Sequence, residues 1–294
     1  MPSLKEVKNR ITSVVSTQQI TKAMKMVAAA KLRRSQERIQ QMRPFARKLD
    51  TLLKNLSAAQ SDSDGDHWYS AVREERKILI IAISSDRGLC GSFNSSVFKG
   101  VNRLIEEKYS TQFNKGNVTV LTIGKKSTDY FSKRKCSVLG DFSLLFSSLS
   151  YENVSRAAQF VMEAFQQGKF DKVELVYNEF KNVATQILRV EQYLPILPPQ
   201  TTKPGEQVNY IYQPGQEEII TDLIPRSLKV QLYKAVLDSN AAENGARMTA
   251  MDKATENAGE LLKQLRLTYN RTRQAAITKE ILEIVGGAEA LKAS

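Results

Sequence analysis

The segment at residues 84–94, SSDRGLCGSFN, contains the residue types that come closest to a site for chemistry. It follows a buried-strand pattern and precedes a helical one, and a glycine-bearing turn at that position is where doubly wound folds bind phosphate groups. Gly88 and Gly91 lack the spacing of G-x-G-x-x-G, and the chain has no G-x-x-x-x-G-K-[ST] sequence. We therefore interpret the segment mainly as a structural turn, with nucleotide binding as the lesser alternative, and we expect no cofactor.

The other reactive residue types do not form a catalytic or metal-binding set. His67 is the only histidine, which excludes most histidine-based triads and zinc sites. Cys90 and Cys136 are the only cysteines, and their spacing fits neither a disulfide framework nor a metal motif. Aspartate and glutamate are scattered. We therefore expect no catalytic residue and no metal ligand, and a protein that is not an enzyme.

The middle of the chain has the pattern of a sheet with helices on both faces. Continuous apolar runs predict strands that are buried on both sides, at residues 77–85, 117–124 and 172–180. Helical patterns separate them, at residues 92–108, 125–134 and 151–167. This alternation predicts a Rossmann-like, mostly parallel α/β sheet domain. A further strand at residues 184–196 follows a short connection, so we expect it to be antiparallel at an edge.

Two long helices enclose this middle part in the sequence. Residues 225–291 have no proline after Pro225 and predict one long helix. Its small and apolar residues follow the alternating spacing of a coiled-coil seam. The predicted seam positions are Ala254, Ala258, Leu261 and Leu265, with Ala275 and Leu282 further along the same register. Such a seam requires a partner helix.

The N-terminal segment has a matching pattern. A heptad register runs unbroken to Leu56, and its first members are Leu4, Val7, Ile11 and Val14. Because the register continues through Pro44, we expect one continuous helix. The fold class is therefore α/β, with an antiparallel coiled coil of the terminal helices; the alternative is a helix that drifts around a large core.

The centre of the N-terminal register is polar. Its seam positions are Gln18, Thr21, Lys25 and Ser35, whereas the apolar residues lie on a displaced face, at Ile20, Met24 and Val27. We therefore expect the middle of the coiled coil to face something other than its own partner helix.

These patterns divide the chain into four segments. Residues 1–59 are the N-terminal long helix, residues 60–75 a polar linker, residues 76–224 the Rossmann-like α/β domain, and residues 225–294 the C-terminal long helix. The proline- and glycine-rich stretch at residues 197–218 predicts a linker or surface arm that leads to a last short strand.

The net charge of +12 is concentrated in the N-terminal helix, where residues 1–59 hold thirteen Lys and Arg against three acidic residues. A basic helix is usually a solvated face, and otherwise indicates nucleic acid, anionic lipid or an acidic protein surface. Phe45 is its only aromatic residue, which disfavours stacking on bases. No apolar run approaches 18 residues and no signal-peptide pattern is present, so we expect a folded cytoplasmic protein.

Three segments also carry a resemblance to a known family, and they are ITKAMKMVAAAKLRRSQ at residues 20–36, SSDRGLCGSFN, and YNRTRQAAITKEILEIVGGAEAL at residues 269–291. In this order, over nearly the whole chain, they closely resemble the gamma subunit of the bacterial-type F-type ATP synthase. The terminal pattern is similar to the family signature at Ile277, Thr278, Glu280, Glu283, Gly287 and Ala288. The regulatory cysteine pair of chloroplast relatives has no counterpart here.

The resemblance implies a non-catalytic rotor shaft that couples rotation of a membrane c-ring to ATP synthesis or hydrolysis. The implied partners are the alpha and beta subunits, the epsilon subunit and the c-ring, without nucleic acid. The implied location is peripheral, at the cytoplasmic face of a bacterial inner membrane.

The resemblance also implies which residues contact the beta subunits. Met24 and Lys25 match a region that faces acidic lever loops. Arg273 and Gln274 match contacts that catch one beta-subunit loop at a time, and Asn270 shares their helix face. From the residues alone two other interpretations stay open: a dinucleotide-binding enzyme with a helical stalk, and a basic coiled-coil scaffold that binds nucleic acid or membrane.

Overall fold

The computed structural model describes residues 3–59, 68–134, 136–196 and 216–292. The helices are α1 (Leu4–Ala59), α2 (Phe93–Lys108), α3 (Ser110–Asn114), α4 (Lys125–Phe131), α5 (Tyr151–Gln166) and α6 (Gln216–Lys292). The strands are β1 (Ile78–Ile83), β2 (Val118–Ile123), β3 (Ser137–Leu139), β4 (Lys172–Phe180) and β5 (Gln186–Leu194). The chain forms two compact units, one from residues 1–28 and 248–294 and the other from residues 29–247.

The second unit contains a five-stranded sheet with the order β3-β2-β1-β4-β5. The first four strands in this order pair in parallel, and β5 pairs with β4 in the antiparallel direction. The predicted mostly parallel sheet and its antiparallel edge strand are therefore confirmed. β3 was not predicted, because its three half-exposed residues are too few to show a period.

Strand β1 lies in the centre of the sheet, and all six of its residues are buried. This burial explains its continuous apolar run. Leu79, Ile81 and Ile83 pack on one face with α5 and with α6 residues 224–236. Ile78, Ile80 and Ala82 pack on the other face with α2. Helices on both faces leave no solvent side, so the strand has no polar alternation.

The first unit pairs the beginning of α1 with the second half of α6. Gln18 Nε2 donates to the Thr255 carbonyl at 3.3 Å, and Lys25 Nζ lies 2.5 Å from Asp252 Oδ1. Because the α6 numbers fall as the α1 numbers rise, the helices are antiparallel, as predicted. The expectation that the middle of the coiled coil faces something other than its partner helix is wrong, because the polar seam residues Gln18 and Lys25 bind α6. On α1, Val7 is buried, whereas Leu4, Ile11 and Val14 are half-buried, so all four lie on the paired side.

The α6 side of this seam differs from the predicted register by one residue. Leu262 is 7% exposed and Leu261 is 44% exposed, so the structure places Leu262 in the seam where the sequence pattern placed Leu261. Leu265 is half-buried. Alternation of three and four residues from Ala258 allows either leucine. The choice follows from Thr255, which occupies the preceding seam position and contacts α1.

The second unit contains its own part of the helix pair. Ser35 Oγ donates to Asn240 Oδ1 at 2.7 Å. Leu32 and Ile39 of α1 and Leu237 of α6 lie in one apolar cluster with Phe93, at the end of the sheet where β1 finishes. The long helices therefore cover the carboxyl ends of the parallel strands, where doubly wound folds usually bind ligands.

Helix α6 begins earlier than the sequence pattern indicates. It starts at Gln216 and includes Pro225, whereas the pattern placed a short strand before a helix start at Pro225. The β-branched residues Ile219, Ile220 and Thr221 favour a strand locally, and proline removes one helical hydrogen bond. Burial of Ile224 and Leu228 against the sheet stabilises the helix on both sides of the proline. Of the linker predicted at residues 197–218, residues 216–218 belong to α6. Residues 197–215 lie outside the described residues, as do residues 60–67.

Candidate partner-binding surfaces

Among the described residues of the first unit, no helix packs against the end of α6. Continued to the start of α1, the antiparallel register brings Leu4 beside Tyr269, and both side chains are half-buried. Beyond Thr272, each described side chain at residues 273–288 is exposed. We call residues 273–288 the terminal segment.

The terminal segment exposes several large apolar side chains, and their contact with water is unfavourable. Its exposed large side chains are Ile277 (50%), Ile281 (54%), Leu282 (66%), Ile284 (66%) and Val285 (49%). A contiguous set of exposed apolar side chains marks an interaction surface. The sequence pattern assigned Leu282 to the coiled-coil seam and Ile277 to the helix face of Arg273 and Gln274. The seam assignment is wrong, because Leu282 is exposed.

The predicted contact residues of this region are all accessible. Asn270, Arg273 and Gln274 are exposed. The structure therefore presents them to a partner, while their assignment to a beta-subunit loop stays a prediction.

The second predicted contact surface lies in the polar middle of the pair. Met24 is half-buried, and the exposed residues on the same side of the helix are Ile20 (60%) and Val27 (57%). Lys25 is bound to Asp252, so its charge already has a partner within the chain. Of the two predicted contact residues Met24 and Lys25, Met24 is therefore the better one to test by substitution.

The glycine-bearing turn after β1 is arranged for contact with its own chain. The Arg87 and Gly88 carbonyl groups accept hydrogen bonds from the Arg247 guanidinium at 3.1 and 2.6 Å. A phosphate group would instead need backbone N–H donors at such a turn. The geometry favours the structural interpretation of residues 84–94.

Burial changes the protonation of two groups in the second unit. Asp238 is 1% exposed, and burial raises its pKa from 3.8 to about 6, although Lys234 and Arg43 act in the opposite direction. The Arg43 guanidinium is 4.0 Å from Asp238 Oδ1, which accepts no hydrogen bond from the described residues. Burial also raises the pKa of the Cys90 thiol.

Within the described ranges, no group of three or more His, Cys, Asp or Glu side chains is arranged to hold a metal ion. None of the described helices has the length and apolar character needed to cross a membrane. Both cysteines are free.

Comparison with known proteins gives a consistent family. The ATP synthase family model matches residues 3–291. The chain is 56% identical over 294 residues to the ATP synthase gamma chain of Cytophaga hutchinsonii, with 99% of each chain covered. It is 53% identical over 293 residues to that of Flavobacterium psychrophilum, with 99% of this chain and all of the relative covered.

Solved structures agree on the fold. A chain from the central stalk and c-ring of the Tetrahymena thermophila mitochondrial ATP synthase is similar with a TM-score of 0.59 and 26% identity, over 80% of this chain and 99% of that one. A chain of the Euglena gracilis mitochondrial enzyme has a TM-score of 0.65 and 21% identity, over 99% and 95% of the chains.

Long terminal helices that pair with each other and pack on a mostly parallel sheet define the class of rotary central-stalk subunits. The full-length matches are more specific than the fold. The chain belongs to the ATP synthase gamma-chain family.

Proposed function

We propose that the chain is the central-stalk rotor subunit of a proton-translocating F-type ATP synthase. It couples rotation of a membrane c-ring to ATP synthesis or hydrolysis in a ring of alpha and beta subunits. The subunit itself is not catalytic; ATP is made by the complex. Besides the ring subunits, its partners are the epsilon subunit and the c-ring.

The terminal segment is the observation that carries this proposal. A single helix with five exposed, large apolar side chains at residues 277–285 is unfavourable in water. Four of these side chains follow the spacing i, i+4, i+7 and i+8 from Ile277, so they form an apolar stripe along one face of α6. The inner wall of a ring of alpha and beta subunits would cover such a stripe. Rotation within the ring also requires that no single side chain binds too firmly. The ion pair found among the described residues of the terminal segment joins the exposed side chains of Lys279 and Glu283 within the helix.

Met24, Arg273 and Gln274 complete the proposal as contacts to the beta subunits. Met24 offers an apolar contact beside the Lys25–Asp252 pair, and Arg273 and Gln274 offer exposed donors at the start of the terminal segment. The complex is bound to a membrane, and we place the chain at the cytoplasmic face of a bacterial inner membrane.

The direct test measures rotation of the chain within an assembled ring of alpha and beta subunits. The chain, with a cysteine in place of exposed Lys108 for attachment of a probe, is combined with the alpha and beta subunits of its own host. We expect ATP to drive unidirectional rotation of the probe. An assembled complex that hydrolyses ATP while the probe stays still would contradict the rotor function.

The alternative of a basic scaffold for nucleic acid or membrane is less favoured. Arg10 and Arg33 of α1 pair with glutamates four residues away, as expected for a solvated helix face. Binding of the isolated chain to DNA or to anionic vesicles with steep salt dependence would revive that alternative.

A further inference from the structure

Arg247 connects α6 to the turn that follows β1. Its Nη1 donates to the Gly88 carbonyl at 2.6 Å, and its Nη2 donates to the Arg87 carbonyl at 3.1 Å. Glu243, one helical turn earlier, accepts from Nε at 3.1 Å and also from Nη2. The side chains of Arg247 and Glu243 are only 13% and 15% exposed. The guanidinium is therefore oriented by a carboxylate of its own helix and directed at the turn.

The same turn is held from the side of the sheet. Ser85 Oγ donates to the Arg87 carbonyl at 2.7 Å, and Asn94 Oδ1 accepts from the Ser85 backbone N–H at 3.0 Å. The Arg87 carbonyl consequently accepts from Ser85 Oγ and, at 3.9 Å, from Cys90 Sγ in the sheet domain, and from Arg247 on α6. The buried Cys90 thiol lies below the turn, 3.3 Å from Asn94 Nδ2. Its access to solvent therefore depends on whether the turn stays closed.

The turn contains an unfavourable backbone conformation. Leu89 has φ of 64° and is the single non-glycine residue with positive φ in the described part of the chain. Its side chain is 65% exposed, so packing of the leucine does not compensate for the strain. Such conformations persist where the surroundings hold them. The Arg247 hydrogen bonds to the two preceding carbonyls provide a restraint of this kind.

We propose that Arg247 is a positioning residue that holds the strained turn at residues 87–89 against α6. The contact makes α6 and the end of β1 one mechanical body, so that torque in the long helix reaches the sheet without local slip. The torque part of this inference rests on the proposed rotor function. The positioning part concerns the isolated chain and is independent of that function.

Reactivity of Cys90 measures the positioning part. In the full-length chain with Cys136→Ser, Cys90 is the sole thiol, and its rate of reaction with an aromatic disulfide reagent reports opening of the turn. We expect Arg247→Met to raise this rate by about tenfold or more at constant pH. The matched control is Arg226→Met, which removes an exposed arginine of the same helix that pairs with Asp222. It should leave the rate unchanged.

Two milder variants keep the test valid if Arg247→Met does not fold. Arg247→Lys keeps the charge beside Glu243 but cannot donate to two carbonyls in a fixed fork, so we expect an intermediate rate. Leu89→Gly removes the backbone strain, because glycine adopts positive φ readily. In that background Arg247→Lys should raise the rate less than it does with Leu89 present. Equal Cys90 rates for the parent chain, Arg247→Met and Arg247→Lys would overturn the positioning role.

The torque part is measured in the complete complex in vesicles. We expect Arg247→Met to lower the number of protons pumped per ATP hydrolysed, while Arg226→Met keeps the parent ratio. A faster Cys90 reaction with normal pumping would restrict Arg247 to local structure and overturn the torque role. If the parent complex shows no ATP-driven pumping, the proposed function fails while the thiol result still stands.

Discussion

The hydroxyl groups of Thr21 and Thr255 lie 2.8 Å apart at the centre of the paired helices. Gln18 and the Lys25–Asp252 ion pair flank this contact along the seam. Polar seam contacts fix which residues of two helices meet, usually at some cost in stability. We infer that this polar centre specifies the antiparallel register, because a shift by one helical turn would separate Lys25 from Asp252 and leave partly buried polar groups without partners.

The corrected register makes a sharp prediction for neighbouring leucines. Leu262→Asp places a charge at a position that is 7% exposed, and we expect the free energy of unfolding to fall by about 3 kcal/mol or more. Leu261→Asp makes the same chemical change at a position that is 44% exposed, and we expect a loss of roughly 1 kcal/mol or less. Urea unfolding of both variants, followed by circular dichroism, measures the difference. Equal losses would mean that the register is wrong.

Periodicity predicted the helices and the sheet but not the choices between equivalent local patterns. The heptad of α1 was correct because its apolar positions allow one register over many turns. On α6, Leu261 and Leu262 both satisfy the spacing, and only the contact of Thr255 with another part of the chain separates them. The sequence pattern placed the start of α6 at Pro225, whereas the helix begins at Gln216. The earlier turns are stabilised by packing on the sheet, and a local sequence pattern does not show that packing.

The partner surfaces were predictable to different extents. Arg273 and Gln274 were found through resemblance, and their exposure agrees with a contact role without testing it. The exposure of the other side chains in the terminal segment depends on which part of α6 pairs with α1. That pairing joins residues far apart in the sequence, so a local pattern does not show it. Arg247 was missed because its hydrogen bonds go to backbone carbonyl groups, and a carbonyl has no sequence signature.

Burial of the Asp238 carboxyl group leads us to predict an unusual pH dependence of the free energy of unfolding. Its pKa is raised from 3.8 to about 6 in the folded chain, so the folded state binds the proton more tightly than the unfolded state. The favourable contribution is therefore complete below about pH 4 and is lost as pH rises through 6. We expect Asp238→Asn to be more stable than the parent by about 2 to 3 kcal/mol at pH 8, with little difference at pH 4.

Urea unfolding at several pH values checks this expectation. Asp222→Asn is the matched control, because Asp222 lies on the same helix with a side chain that is 80% exposed. That variant should follow the parent at each pH. A stability gain for Asp238→Asn that does not change between pH 4 and pH 8 would show that titration of Asp238 is not its cause.

The turn after β1 predicts that the isolated chain binds no nucleotide. Its Arg87 and Gly88 carbonyls point to Arg247, and oxygen acceptors at that position repel phosphate. Calorimetry with millimolar ATP, ADP and NAD should therefore show no saturable heat. A 1:1 isotherm would restore the interpretation as a dinucleotide-binding enzyme.

Met24 predicts a separation between assembly and coupling. Met24→Lys adds a cation to a half-buried position beside Lys25, where it can bind an acidic partner loop too firmly at one rotor angle. We expect the complex to assemble but to pump fewer protons per ATP hydrolysed in reconstituted vesicles. Met26→Lys adds the same charge at a position that is 59% exposed and points elsewhere on the helix, so it should pump normally. Identical pumping by both variants would remove the specific role of Met24.

Arg273 and Gln274 predict a loss of catalytic turnover without a loss of assembly. Both side chains are exposed and lie outside the seam, so Arg273→Ala with Gln274→Ala should leave folding of the helix pair unchanged. Hydrogen bonds to charged groups contribute about 1.5 to 3 kcal/mol each, which is enough to favour one beta subunit over two equivalent ones without holding the rotor permanently. We therefore expect ATP turnover of the assembled complex to fall several-fold.

Single-molecule rotation separates this role from a general effect of the terminal segment. Lys279→Ala is the control, because Lys279 is 79% exposed and lies on a different side of the same helix. The double variant should pause longer between steps, since the rotor loses a contact that selects one subunit at a time, while Lys279→Ala keeps the parent dwell times. Dwell times and turnover equal to those of the parent complex would remove Arg273 and Gln274 from the mechanism and assign them to a solvated face.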